Sequence, residues 1–216
     1  FSHWGNVDVP YLFWFAWSIV AFVAVVDRGR GRDYAAFGLL SAAALSTKES
    51  IVGAYVGVGA AILVVHARRA LVEAAAAAPS PAALTLMARV RVVARAAVDR
   101  RLVALVLALF GLYGVVNNVV FNWAGYLAHV DYWLAGTGID PWNDRFAGHA
   151  ALLVTFGARL RDAVGWPWLL AAVAATAWAV WRDRRTRWVV VPAVSYYLFT
   201  IAPIRYAYTR FTLPVA

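Results

Sequence analysis

A polytopic bundle of transmembrane α-helices, all-α, is the fold class this sequence predicts, and three observations carry it. The 216-residue chain is 63% hydrophobic and only 14% charged, whereas soluble domains are about 45–50% apolar and about 25% charged. Its apolar residues gather into six segments: Tyr11–Val26, Tyr34–Ser46, Ile51–Val65, Leu102–Phe121, Val164–Trp181 and Trp188–Ile204. Its arginines fall in alternate connections between those segments. The net charge of +9 would otherwise suit nucleic acid. Arginines clustered between apolar segments answer instead to membrane topology, so no nucleic-acid partner is expected. The absence of cysteine excludes disulfides and thiolate metal sites.

Each segment is measured against a crossing, which needs about 20 residues, range about 17–25. The fourth and fifth meet this directly, and the first, third and sixth meet it with their flanks. The second is short and reads as a half-helix or a tilted helix ending inside the protein. The chain starts at Phe1 without methionine or a signal-like segment. It stops at Phe211-Thr212-Leu213-Pro214-Val215-Ala216, where a further hydrophobic stretch begins. The expectation is an internal portion, residues 1–216, of a longer transmembrane domain.

Orientation follows from arginine. Asp27–Asp33 holds Arg28, Arg30 and Arg32, the linker 66–101 holds seven arginines, and Arg182–Arg187 holds four. All 14 fall on one side, which the positive-inside bias makes cytoplasmic. The other side receives Phe1–Pro10, Thr47–Ser50, the loop 122–163 and Arg205–Pro214, with six of the 11 acids and three of the four histidines. Within the cytoplasmic linker, Glu73–Pro81 is an alanine run closed by Pro79-Ser80-Pro81 and reads as a flexible connection. Ala82–Arg101 alternates apolar and basic residues and suits an interfacial helix on anionic lipid, or topological anchoring alone. Asn117 and Asn118 interrupt the fourth apolar run, where amides cap a helix end, bond a neighbour or meet a ligand. In the loop 122–163, Ala147–Arg161 reads as a short amphipathic helix lying flat at the surface.

Four constellations bear on chemistry. Lys48 is the only lysine beside 19 arginines, in Thr47-Lys48-Glu49 between two apolar segments. An ionisable residue at membrane depth marks a functional site by default, and an ammonium is a compact charge suited to phosphate; the bland alternative is a snorkelling side chain. His3-Trp4-Gly5-Asn6-Val7-Asp8-Val9-Pro10 precedes the first segment. Pro10 suits a first helical turn and Asp8 either caps that helix or lies just outside it; His3, Asn6 and Asp8 form a weak hard-cation set. The loop 122–163 mixes Trp123, Tyr126, His129, Asp131, Tyr132 and Trp133. Flat rings meet sugar faces and carboxylates accept hydroxyl protons, while an aromatic interface belt accounts for some of the rings. Arg205 and Arg210 run against the positive-inside bias and point to an anion or to a carboxylate partner such as Glu49 or Asp8.

Taken in order, Asn6-Val7-Asp8-Val9-Pro10, the glycine-led helix from Gly38 to Thr47-Lys48-Glu49, and Arg205-Tyr206 followed by Arg210-Phe211-Thr212-Leu213-Pro214 resemble motifs of the integral-membrane GT-C glycosyltransferases. The similarity is to the protein O-mannosyltransferase and aminoarabinose-transferase-like branch. It implies a GT-C-like bundle that moves a sugar, with inversion, from a polyprenyl-phosphate donor to a protein, lipid or glycan acceptor on the exoplasmic face. By resemblance Asp8 matches a second acidic position, and Lys48, Arg205 and Arg210 hold the donor phosphate without metal or other cofactor. Glu49, His129, Asp131, Tyr132 and Trp133 are expected to meet sugar or acceptor. The family's main catalytic acid lies upstream of Phe1, so these residues alone are expected to be inactive. Two other classes compete: a transporter or flippase for a lipid-linked anionic glycan, and a non-catalytic membrane scaffold.

Overall fold

The computed structural model describes residues 8–78, 85–136, 149–183 and 185–204. These residues are helical, with no strand among them. Helix α1 (Asp8–Asp27) descends from the Lys48 end to the arginine end, and α2 (Gly31–Thr47) returns. A 3-10 turn over Glu49–Ile51 leads into α3 (Val52–Ala77). Next come α4 (Leu86–Ala97), α5 (Arg100–Val116), α6 (Trp123–Gly136), α7 (His149–Val164) and α8 (Trp166–Arg182). Helix α9 (Thr186–Tyr196) continues through a widened π turn, Tyr197–Ile201, into the short α10 (Ala202–Ile204). Helix α2 packs between α1 and α5, and α3 packs against α9 and α4.

Among the described residues, two helical stretches are long and apolar enough to cross a membrane, Pro10–Asp27 and Glu49–Ala77. A third arises only if His149–Asp162 and Trp166–Arg182, bent by 114°, form one broken span. The clearest crossings are therefore the first and third segments rather than the fourth and fifth. Helices α2, α5 and α8 hold 17 residues each, about 25 Å at 1.5 Å per residue. Two local effects cause the difference. Helix α3 continues twelve residues past Val65, through the alanine run, because alanine is the best helix former; the expected linker from Glu73 is helical as far as Ala77. Helix α5 stops at Val116 because Asn117 caps it and Asn118 takes φ 57°, a left-handed conformation asparagine tolerates. Within the expected loop 122–163, the helix read over Ala147–Arg161 is present as α7, and α6 over Trp123–Gly136 is a helix where none was expected.

Side-chain hydrogen bonds join several of the helices, as apolar bundles require of their buried polar groups. Ser18 and Tyr55 share one of 2.8 Å between α1 and α3. Tyr34 and His66 share a buried one of 2.8 Å between α2 and α3. Asn117 Nδ2 donates to Ser46 Oγ at 2.8 Å between α5 and α2. At the α3–α9 contact, Ser195 Oγ donates to the Gly53 carbonyl and accepts the Gly57 N–H. Those two backbone groups are an i, i+4 pair, so the hydroxyl of α9 bridges one rung of the α3 ladder. The approach requires glycine: a Cβ on Gly53 would collide with Thr200 Oγ1, and one on Gly57 would lie 2.7 Å from Ser195 Cβ. Gly53-Ala54-Tyr55-Val56-Gly57 is thus a small-xxx-small interface. Pro192 lies buried inside α9 and the π turn begins five residues later.

The core has two storeys. One, near Lys48, joins Tyr11, Phe15, Ile51, Leu152, Tyr196 and Ile201. The other, nearer the arginines, joins Phe22, Val25, Tyr34, Phe37, Val58 and Ile62. Gly53→Ala is expected to destabilise the fold by about 1–3 kcal/mol through overpacking. Gly59→Ala, where a Cβ meets open space, is expected to stabilise by about 0.5–1 kcal/mol. Opposite shifts in thermal unfolding of the detergent-solubilised chain check both.

Candidate functional site

The site grows from the reversal between α2 and α3. Thr47 closes α2 by donating its hydroxyl back to the carbonyls of Ala43 (3.2 Å) and Ala44 (2.8 Å). Lys48 leaves the helix in extended geometry, φ −157° and ψ 99°, with its N–H still on the Ala44 carbonyl at 3.0 Å. The 3-10 turn then begins at Glu49. One extended residue between two helical turns separates the directions of neighbouring side chains. Lys48 turns toward α1, its ammonium 4.4 Å from the centroid of the Tyr11 ring, a cation–π contact. Glu49 turns toward α5 and α6.

Glu49 is the hub of a polar cluster. Its Oε2 lies 3.0 Å from His129 Nε2, and its Oε1 accepts the Tyr113 hydroxyl at 3.4 Å. The Tyr113 and Tyr126 hydroxyls are also 3.4 Å apart, with their rings edge to face. The cluster borders a cavity of about 340 Å³ lined by Glu49, Asn117, Asn122, Tyr126 and His129, among others. Glu49 is partly exposed, and Trp123, exposed, packs its ring 5.9 Å from that of Tyr126. Asn122, Tyr126 and His129 follow one another at helical spacing, so α6 presents one polar stripe to Glu49. Chemically, a carboxylate hydrogen-bonded to an imidazole can take up and pass on a proton. Amides, phenols and a flat indole beside it suit a ligand rich in hydroxyl groups.

The expected site residues are distributed as follows. Glu49 and His129 meet directly. Asp8 lies within α1 rather than preceding it, one turn before Tyr11, at the same end of the bundle as Lys48. Asp131 and Tyr132 are exposed on α6 and are not among the residues lining the cavity; Asp131 lies roughly 200° round the helix from His129. Trp133 belongs to α6, one turn beyond His129. Arg205 and Arg210 lie outside the described residues, as do His3 and Asn6 of the cation set. Tyr113 and Asn117 are the additions. Tyr113 stands in the last turn of α5 and Asn117 caps it, four residues apart, and a polar pair at that spacing inside the fourth apolar segment was the available signal.

No family model, no curated protein and no solved structure matches this chain.

The Glu49–His129 contact is half-exposed, so its expected worth is that of a surface pair. A double-mutant cycle of Glu49→Gln and His129→Ala, read by thermal unfolding, is expected to give a coupling of about 0.2–1 kcal/mol. A coupling of zero would mean the pair contributes nothing to the stability of the fold.

Proposed function

We propose that this chain is a multi-pass membrane glycosyltransferase of the GT-C type, acting on a polyprenyl-phosphate sugar at the exoplasmic face. The observation that carries the reading is the Glu49–His129 pair, opening on a cavity of hydroxyl and amide groups next in sequence to the lone lysine. In this reading the sugar and acceptor occupy that cavity, and the carboxylate–imidazole pair takes the acceptor's proton as the anomeric bond forms. Lys48, with Arg205 and Arg210, neutralises the departing polyprenyl phosphate, and Asp8 supplies a second acidic group at the same end. Lysine and arginine charges serve that purpose without a metal or other cofactor. The acceptor is a protein, lipid or glycan.

Charge segregation supports the orientation. Asp27 pairs with Arg185 at 2.9 Å, and Arg69 donates to the Val25 and Val26 carbonyls. The three arginine-bearing connections therefore gather at the end away from Lys48, the cytoplasmic end under the positive-inside bias. A second reading, a transporter or flippase for a lipid-linked anionic glycan, draws on the 114° bend between α7 and α8 and the π turn after α9, since broken helices build transport sites.

One assay separates the two. The intact protein in liposomes receives labelled polyprenyl-phosphate sugar and an acceptor extract. Lys48→Ala and Glu49→Gln are each expected to lower sugar transfer about 100-fold. Movement of label across the bilayer without transfer selects the transporter. Full transfer by both variants removes Lys48 and Glu49 from the site.

A further inference from the structure

A second cavity lies at the other end of the molecule, away from Lys48. It measures about 830 Å³, opens to the surface and is bordered by the α1–α2 turn, the middle of α3 and the start of α5. Six arginines line it: Arg28, Arg30, Arg68, Arg69, Arg100 and Arg101, against a single carboxylate among the lining residues, Glu73. Val65, Val72 and Ala104 make its apolar walls.

Topological anchoring requires arginines near a membrane surface; it does not require six of them around one hollow. Here the backbone is shaped to seat them. Gly29 takes φ +61°, and a Cβ there would collide with the Arg69 guanidinium. That guanidinium instead reaches the carbonyls of Val25, at 2.7 Å, and Val26, where the C-terminal end of α1 carries partial negative charge. Arg28 is held by Asp33 at 3.0 Å. The Asp99 carboxylate accepts the Arg101 backbone N–H at 2.7 Å and so fixes the start of α5. Arg69 and Arg101 are half-buried and form the floor; Arg28, Arg30, Arg68 and Arg100 are exposed and form the rim.

Like charges brought together beside apolar walls repel one another unless an anion joins them. Guanidinium groups are planar forks that bind phosphate oxygens two at a time. The volume falls within the range of about 300–1,000 Å³ typical of small-molecule sites. We propose that this cavity binds a phosphate-bearing anion. Two sources share that chemistry, an anionic phospholipid headgroup and a free di- or polyphosphate. Basic pockets between helices at a membrane face suit the first. The proposal does not depend on the reading of the Glu49 site.

The test uses the full chain purified in detergent, with two probes. Retention of cardiolipin against phosphatidylcholine is followed by native mass spectrometry, and binding of inorganic pyrophosphate by calorimetry. Saturable binding of at least one probe is expected. Arg68→Gln combined with Arg100→Gln, on the rim, is expected to weaken it about thirtyfold. Arg32→Gln combined with Arg91→Gln removes the same charge from outside the cavity and is expected to change it by less than about twofold. Binding of cardiolipin alone identifies a lipid headgroup; binding of both identifies the phosphate itself. Equal weakening by the two double variants, or no saturable binding of either probe, overturns the proposal. Circular dichroism verifies folding, and Arg30→Gln alone serves if the rim pair does not fold.

Discussion

Between Thr47 and Val52 the chain must turn back through an apolar bundle without stranding backbone polar groups, and the rest of the Lys48 end depends on how it does so. Thr47 supplies a hydroxyl to the last carbonyls of α2, and the Lys48 N–H keeps the Ala44 carbonyl occupied. Unpaired groups there would each cost about 1–3 kcal/mol. With those groups satisfied, Lys48 can adopt an extended conformation for one residue before the 3-10 turn resumes. That single extended residue sends a cation toward α1 and a carboxylate toward α5 and α6. A continuous helix would have set Lys48 and Glu49 only about 100° apart on one surface.

The same need to satisfy polar groups shapes the bundle elsewhere. An apolar setting gives little hydrophobic drive to hold helix against helix, so close packing and hydrogen bonds must do it. Gly53 and Gly57 let α9 approach until Ser195 bridges a backbone rung of α3. Ser18 with Tyr55, Tyr34 with His66, and Asn117 with Ser46 repeat the device at other contacts. The result is a frame whose two ends are built from opposite materials. One end collects a carboxylate, an imidazole, phenols and amides. The other collects guanidinium groups, with helix-end carbonyls and carboxylates placed to hold them.

Much of this was legible in the residues. Hydropathy located the helices that carry the six apolar segments, because burial in an apolar setting demands apolar side chains along their length, but it left α6 inside an expected loop. Alternating arginines separated the two ends, since charge cannot be threaded through the middle. Glu49 stood out in the break between two apolar segments, and His129 among the aromatic and acidic residues of the loop 122–163. Helix limits were less legible. Alanine extends α3 where hydropathy and Pro79 pointed to a linker, and Asn117-Asn118 ends α5 inside an apolar run. Those limits reflect backbone propensity and capping, which hydropathy does not measure. Gly53 and Gly57 were visible as a spacing, but the partner that makes the spacing matter is 142 residues away from Gly53, at Ser195.

The sequence by itself determined that the chain is an all-helical, strongly apolar protein, that its charges divide between two ends, and that Lys48 and Glu49 occupy a break between two helices. Composition and periodicity are local properties, and these conclusions are local. Only the tertiary structure decided that Lys48 and Glu49 serve different neighbours, that His129 closes on Glu49 across 80 residues of chain, and that six arginines from two connections line one cavity. Each of those depends on which helices lie side by side. Helix adjacency is set by side-chain fit and interhelical hydrogen bonds between distant positions, which no local pattern in the chain records.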